Sequence, residues 1–445
     1  MPGITPMISP GVRVNVVDQS QYTAIPGLPT NAFAIVGAAQ WGPINTPVLL
    51  TSVNQFLQTF SEPIDVAGLT AINTLAAGGT VYYCRFANTG SGQGPTVSST
   101  MSFTAGASTE SSPLDKGTLK ISAKYAGTLL GGGRYAWIVT LNKGTDPDEF
   151  KMTISYKTSN TADPISFVDE TELSFKSNAD NYFGNWQNDY FSITSTGDPT
   201  SFKQDDPEVL TFGDTGVTQG SNGVSTTTAS NATYVKTALN TFSDRETYEI
   251  MYLSTPEYST ASEVANVLVT IATDRKDCIA QIDHDPNLAT YKDDGSSSGA
   301  SKLAAALSAY ATTPYVGLWA GLGGYILDPY NNNAERLVPV SAYLLPALAA
   351  EYAVNPVWTA PASTAYLNLN LLTRLDKIWS QADRDTLYAA NINPITNYKG
   401  LGYTAMGQKS GQKTKSAMDR LNVVQLVNYV KVGIEKISVD FLFAP

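Results

Sequence analysis

The sequence predicts an α/β fold, α+β when its several domains are taken together. A mixed, mostly parallel α/β core carries an inserted β-rich domain and a C-terminal α+β domain. Three observations carry this reading. Short apolar strands alternate with helical segments before residue 90 and again after residue 246, which is the rhythm of βαβ units. Two tracts rich in Gly, Ser and Thr, at 88–113 and 214–233, bracket a segment that alternates apolar and polar residues with period two. Near the C-terminus a basic loop precedes a long stretch with helical period. The resulting division is an extended arm at 1–22, a discontinuous core at 23–90 plus 246–360, a mostly β insertion at 91–245, and a C-terminal domain at 361–445.

The elements follow in order. Residues 1–30 are rich in proline, and inside them Val12, Val14 and Val16 alternate with Arg13 and Asn15 as one short strand. That strand has no hairpin partner nearby. Its backbone groups need pairing, either at the edge of its own domain or in another chain. Ala32–Gly37 and Pro47–Leu50 read as strands. Ser52 and Gln55 form a capping box that opens a helix with Val53, Phe56, Leu57 and Phe60 on one face. Ala67–Ala77 reads as a helix ended by Gly78-Gly79, and Thr80–Phe86 as the next strand. In the insertion, Leu119–Ala123, Ala136–Leu141 and Phe150–Tyr156 read as strands. The alternating rhythm then returns with strand Tyr248–Leu253, helix Ala261–Thr273, strand Cys278–Ile282, helix Lys302–Ala311 and strand Tyr315–Trp319. A further helix starts near residue 338. At the end, a short helix runs into the turn Asn391-Ile392-Asn393-Pro394. Ser416 and Asp419 form another capping box, opening a long helix. Its Val423, Val427, Val430, Ile434 and Ile437 recur at spacings of four and three along one face. Ser438–Phe443 reads as a closing apolar strand.

Composition excludes several classes. The 28 basic and 39 acidic residues give a formal charge of −11, which argues against a nucleic-acid binder. Cys84 and Cys278 each sit in an apolar run and read as buried reduced thiols of a protein made in a reducing cytosol. No apolar run reaches membrane-spanning length, and the first residues lack the charged and apolar regions of a signal peptide. Neither membrane insertion nor Sec export is expected.

Candidate chemistry is sparse. Asp283-His284-Asp285 follows a strand of the parallel core, at the end where α/β enzymes place reactive groups. His284 is the only histidine, and no His or Cys cluster offers further metal ligands. A polar turn rich in turn formers accounts for the same residues. Gly402–Ser410 and Gly407–Thr414 imitate a phosphate-binding loop, but neither has the glycine-to-lysine register that cradling phosphates requires. Gly131–Gly133 and Gly321–Gly324 read as turns. No cofactor or metal is expected. From Lys399 to Lys436, seven basic residues face two acidic ones, a net +5 that leaves −16 on the remainder. Such a patch either meets an acidic partner or is a solvated face.

Several motifs together resemble one family. They are Ser9-Pro10-Gly11-Val12, the turn holding Gly37, Ala39, Gly42 and Pro43, the helix start Thr51-Ser52 with Phe56, and the strand with Tyr82, Tyr83 and Arg85. Trp358, Ala360, Pro361 and Ala362 form another, as do Asn391-Ile392-Asn393, Met406-Gly407, the segment Asn422 to Tyr429, and Phe441 to Pro445. Ala123–Thr128 and Glu170 to Ser174 add weaker matches. In these residues the chain resembles contractile tail sheath proteins of phages and related injection machines. It departs at Ala390-Asn391, where the family has Ala-Gly, at Pro356, which replaces a glycine, and at Met406, where Trp is common.

The resemblance implies a structural subunit without an active site. It would stack with identical subunits around a tail tube protein, with baseplate and terminator proteins as further partners. It would be assembled in the host cytoplasm and located in the virion tail. The resemblance also implies that the arm with Val12, Val14 and Val16 exchanges strands with a neighbour. Lys409, Lys413, Lys415 and Arg420 would face the tube. The family continues past the equivalent of Pro445, so a C-terminally shortened chain is expected. An α/β enzyme using Asp283, His284 and Asp285, or another tail or baseplate component, are the competing readings.

Overall fold

Apolar runs bounded by turn formers assemble here into one central sheet. A computed structural model of the chain describes residues 31–88, 101–104, 118–125, 136–188 apart from 147, 158 and 160, 191–196, 208–212, 223–224, 228–397 apart from 364, and 402–442. The arm with Val12, Val14 and Val16 lies outside the described residues, as do Lys399 and Phe443 to Pro445.

The described chain opens with β1 (Ala32–Gly37), β2 (Val48–Leu50), α1 (Val53–Phe60), α2 (Val66–Ala76) and β3 (Thr80–Arg85). Seven strands follow: β4 (Met101–Thr104), β5 (Thr118–Ala123), β6 (Ala136–Lys143), β7 (Glu149–Lys157), β8 (Ile165–Ser174), β9 (Phe191–Thr196) and β10 (Glu208–Phe212). Helices then alternate with strands: α3 (Thr228–Asn240), β11 (Tyr252–Ser254), α4 (Ser262–Arg275), β12 (Ile279–Ile282), α5 (Gly299–Ser308) and β13 (Val316–Ala320). The last stretch holds β14 (Leu322–Asp328), β15 (Ala334–Val338), α6 (Ser341–Val354), β16 (Leu372–Lys377), α7 (Gln381–Ala389), β17 (Asn393–Asn397), β18 (Tyr403–Ala405) and α8 (Leu421–Leu442).

The central sheet has eight strands in the order β18-β17-β13-β12-β11-β1-β3-β2. Every pair between β17 and β3 is parallel; β18 and β2 close the two edges antiparallel. Residues of β1, β11, β12 and β13 are buried throughout, as a sheet covered on both faces requires. The mostly parallel α/β core expected from the sequence is therefore present. Ser52 caps α1 by accepting the Gln55 N–H at 3.3 Å, while Gln55 Oε1 accepts the Thr51 N–H at 2.8 Å, so the box closes one residue early. Asp65 caps α2 through Gly68 N–H at 2.7 Å and ties it to the end of β1 by accepting the Ala38 N–H at 2.6 Å. Cys84 and Cys278 are buried and free, and burial pushes both thiols up to about 12.

Between β3 and α3, two antiparallel sheets, β10-β6-β7-β8 and β4-β5-β9, share a separate apolar core. Asn88 N–H donates to Gly223 O at 2.6 Å, so the chain leaves and re-enters the larger body at adjacent points. Helix α3 packs in the larger core through Ala232, Val235, Ala238 and Leu239. One residue of the larger body enters the smaller core: Trp41, from the turn after β1, is fully buried there. Its ring lies 5.9 Å from Trp137, 6.2 Å from Phe167 and 6.1 Å from Phe191.

Three sequence expectations are corrected. Gly321–Gly324 is not a turn: it leads into β14, the middle of a three-stranded sheet β15-β14-β16. The glycines are there for close approach. A Cβ on Gly324 would meet Tyr343 at 2.7 Å, and one on Gly323, which sits at φ +65°, would collide with Asp376. Ser438–Phe443 is not a strand, because α8 runs on to Leu442; no Gly or Pro stands between Lys436 and Leu442 to stop it. The Ser416–Asp419 box does not open α8 either. Ser416 caps a single 3-10 turn, Ala417–Asp419, accepting the Met418 N–H at 3.1 Å. The first amides of α8 go instead to Gln408, whose backbone O accepts Leu421 N–H at 2.8 Å and whose Oε1 accepts Asn422 N–H at 3.4 Å.

Candidate assembly surface

The turn before β17 sets up the C-terminal region. Helix α7 ends in a Schellman motif: Ile392 N–H donates to Leu387 O at 3.0 Å and Asn391 N–H to Tyr388 O at 3.2 Å. Asn391 sits at φ +62°, the left-handed position that favours glycine. This explains how Ala390-Asn391 stands where Ala-Gly was expected. Asn tolerates that region, and its Nδ2 is used to hold Gln412 O at 2.7 Å.

The basic loop, 406–420, is pinned rather than loose. Gly411 N–H donates to Val316 O at 2.8 Å, Ser410 N–H to Asp419 O at 3.1 Å, and Ser410 Oγ–H to Met418 O at 2.6 Å. The four candidate cations separate into two pairs. Lys409 is spent internally: its Nζ donates to Tyr388 O at 2.7 Å and lies 4.1 Å over the Tyr388 ring. Burial lowers its pKa. Arg420 sits opposite Lys409 across an isolated bridge, with Nε 3.8 Å from Asp419 Oδ1. Lys413 and Lys415 are exposed at the loop tip. The loop thus presents two lysines on a rigid base.

Helix α8 leaves this loop and lies along the N-terminal ends of the central strands. Leu421 and Val424 are buried in the main core, and Gln425 Nε2–H donates to both Tyr252 and Tyr352 hydroxyls at 2.7 Å. Further along, the contact with the body is polar. Glu435 pairs with Arg245, and Lys436 with Glu249 at 2.8 Å. A groove of about 670 Å³ separates this half of α8 from Ile250 and Met251. The apolar face found in the sequence points the other way. Of its five residues Val427, Val430, Ile434 and Ile437 are between 40% and 59% exposed, joined by Leu426, while Val423 is half-buried. Periodicity identified residues that share a face but not which face docks. The signal that could have told was the polarity of Gln425, Asn428, Glu435 and Lys436 on the opposite side.

Asp283, His284 and Asp285 are brought together but are occupied by the fold. Asp283 is buried at the end of β12. Its Oδ1 accepts Ser341 N–H at 3.0 Å, and its Oδ2 accepts Ser341 Oγ–H at 2.6 Å, so it anchors the start of α6. Burial outweighs these bonds and pushes its carboxyl up to about 6. His284 accepts Gly321 N–H on Nε2 at 3.3 Å, which leaves Nδ1–H to donate to Asp285 O at 2.8 Å. Burial holds the ring neutral, with its pKa lowered to about 4. Asp285 caps the following turn through Asn287 N–H at 2.9 Å and Thr290 Oγ1–H at 2.5 Å. Among the described residues no group of three His, Cys, Asp or Glu side chains is placed to hold a metal. No helix among them is long and apolar enough to cross a membrane.

No family model matches the chain. Two curated relatives do. The tail sheath protein of Enterobacteria phage T4 is 26% identical over 277 residues, 59% of this chain and 40% of that protein. The tail sheath protein of Vibrio phage KVP40 is 32% identical over 119 residues, 27% of this chain and 18% of that protein. The matched region therefore spans less than half the length of either relative. Among solved structures, the sheath tail protein of Desulfitobacterium hafniense aligns with 97% of this chain and 83% of its own, at 11% identity and a TM-score of 0.56. That of Listeria innocua aligns with 93% and 79%, at 12% identity and a TM-score of 0.58.

The fold is that of a tail sheath protein. Within this sheath fold, two of the motifs noted in the sequence converge on α8. Trp358 stacks edge-on against Tyr429 of α8, with centroids 5.4 Å apart. Just beyond, Ser363 N–H donates to Ala405 O at 3.1 Å and Leu369 N–H to Tyr403 O at 3.1 Å, covering the outer edge of β18. The segment after α6 thus ties the helix to the sheet edge.

Proposed function

We propose that this chain is the repeating subunit of a contractile tail sheath. It polymerises around a rigid tail tube and, on contraction, drives the tube through a host envelope. The observation that carries this reading is the 277-residue match to the T4 tail sheath protein, on a chain with the sheath fold along its length. Its place is the virion tail, assembled in the host cytoplasm, with identical subunits, the tube protein, and baseplate and terminator proteins as partners. The arm with Val12, Val14 and Val16 links neighbouring subunits by strand exchange. The subunit is not an enzyme; Asp283, His284 and Asp285 are each held by hydrogen bonds inside the chain, which supports a structural role for them.

The tube contact includes Lys413 and Lys415, the exposed pair on the pinned loop. An acidic tube surface would bind them through screened, reversible charge attraction. Replacing both, Lys413→Glu with Lys415→Glu, should weaken cosedimentation with purified tail tubes by about tenfold at low salt, roughly the size of two exposed charge contacts. Wild-type binding should itself fall as salt rises. Binding that is indifferent to both the substitutions and the salt would contradict a tube-facing loop.

A further inference from the structure

We infer that the groove between α8 and the central sheet is the seat of the chain's own segment Ala24–Thr30, which lies outside the described residues. The inference goes beyond the sheath reading and does not depend on it.

The groove holds hydrogen-bond acceptors that the described chain does not use. Gln425 and Asn428 line it, and both are more than nine-tenths buried. Gln425 Oε1 and Asn428 Oδ1 have no hydrogen-bond partner among the described residues. Leaving a buried acceptor unmade costs more than a made bond contributes, so the occupant must bring N–H or O–H donors. Beside these amides, Ile250, Met251 and Val432 offer apolar surface. The charges around the groove are largely answered within the chain: Glu435 by Arg245, Glu249 by Lys436, and Asp277 by Arg275. The groove therefore suits a neutral, partly apolar donor.

Position and sequence name that donor. Met251 N–H donates to Ala32 O at 2.8 Å and Phe33 pairs with Tyr252, so the register sets Asn31 beside Ile250, at the groove. The chain before Asn31 starts from that point. Extended, Ala24–Thr30 covers up to about 23 Å. The groove side of α8, from Gln425 to Lys436, is about 16 Å long. No charged residue stands between Gln19 and Thr30, and Ile25 and Leu28 supply apolar side chains. Pro26 and Pro29 bar a helix and push the residues before them toward extended backbone. Between the prolines, Gly27 and Leu28 carry two N–H groups that have no helical acceptor and need partners elsewhere. Two donors on a neutral extended stretch match the two acceptors of the groove. Residues before Tyr22 then leave the body beside α8, so that a pull on them acts on that helix.

Disulfide trapping in the full chain tests this. Val432 lines the groove, whereas Ile434 is exposed on the other side of α8. Val432→Cys, combined in turn with Ile25→Cys and Leu28→Cys, should link within one chain under mild oxidation in at least one of the two pairs. The same pairs made with Ile434→Cys should link at least about tenfold more slowly, because a seated segment has a high effective concentration on one side only. Cys84 and Cys278 are buried and should not compete. Equal rates at Val432 and Ile434, or no link at either, would overturn the proposal. Links between chains in place of links within one would assign the groove to a second copy and overturn it equally. Hydrogen exchange gives a readout without added cysteines. The Gly27 and Leu28 amides should be protected in wild type. Asn428→Leu, which removes one acceptor and keeps a side chain of similar size, should lower that protection by about three- to tenfold. Amides that exchange freely in wild type, or protection that the variant leaves unchanged, would contradict the seating.

Discussion

Trp41→Ala should cost about 3–5 kcal/mol, the range for removing a buried large aromatic from a packed core. It should also uncouple the two cores. Trp41 belongs by sequence to the turn after β1 but is fully buried among Trp137, Phe167 and Phe191 of the β-rich unit. Among the described residues the chain also crosses between the two bodies where Asn88 and Gly223 meet. Removing the indole leaves a cavity in the smaller core, which has fewer apolar residues over which to spread the loss. Denaturant unfolding followed by the fluorescence of the remaining tryptophans should split into two transitions, the β-rich unit melting first. Trp41→Phe, which keeps an aromatic ring in place, should retain one transition or nearly so. A loss below about 1 kcal/mol, within the range of surface changes, would mean that Trp41 does not couple the two cores.

The second large effect is pH-dependent. Raising the Asp283 carboxyl from 3.8 to about 6 places a cost of roughly 3 kcal/mol on ionising it in the folded state. The folded chain binds that proton more tightly than the unfolded chain does. The contribution is therefore complete below about pH 4 and is lost as pH rises through 6. Asp283→Asn keeps an acceptor for Ser341 N–H and removes the titration. Relative to wild type, the variant should gain up to about 3 kcal/mol between pH 4 and pH 8, on top of any constant cost of the substitution. Glu257, whose carboxyl is raised to about 7 by burial and by its neighbour Asp65, titrates in both chains and cancels to first order. A difference in unfolding free energy that stays flat over this range would show that Asp283 is ionised in the fold without penalty.

Much of the central sheet was legible because its strands are short, apolar and separated by capped helices; Ser52 and the buried runs of β1 and β12 are examples. What escaped was decided by distant contacts. The role of Trp41 depends on Trp137, which stands far along the chain. Strand β14 is hidden in Gly321–Gly324 because glycine there reports the approach of Tyr343 and Asp376, not a turn. Helix α3 begins inside a polar tract, and its core face appears only from Ala232 onward. The end of α8 was misread because a short apolar run fits strand or helix equally. At the assembly surface, the sequence located the basic loop and the apolar stripe. It could not tell that Lys409 bonds inward to Tyr388 or that the stripe faces out.

Whether this chain forms the wall of a contractile tail is tested most directly by cryo-electron microscopy of that tail in its extended and contracted states. Density for the eight-stranded sheet and α8 should appear at every subunit position around the tube, along the whole tail. Subunits should move between the two states while the sheet itself superimposes unchanged. A wall built from a different chain, or this chain confined to one end of the tail, would contradict it.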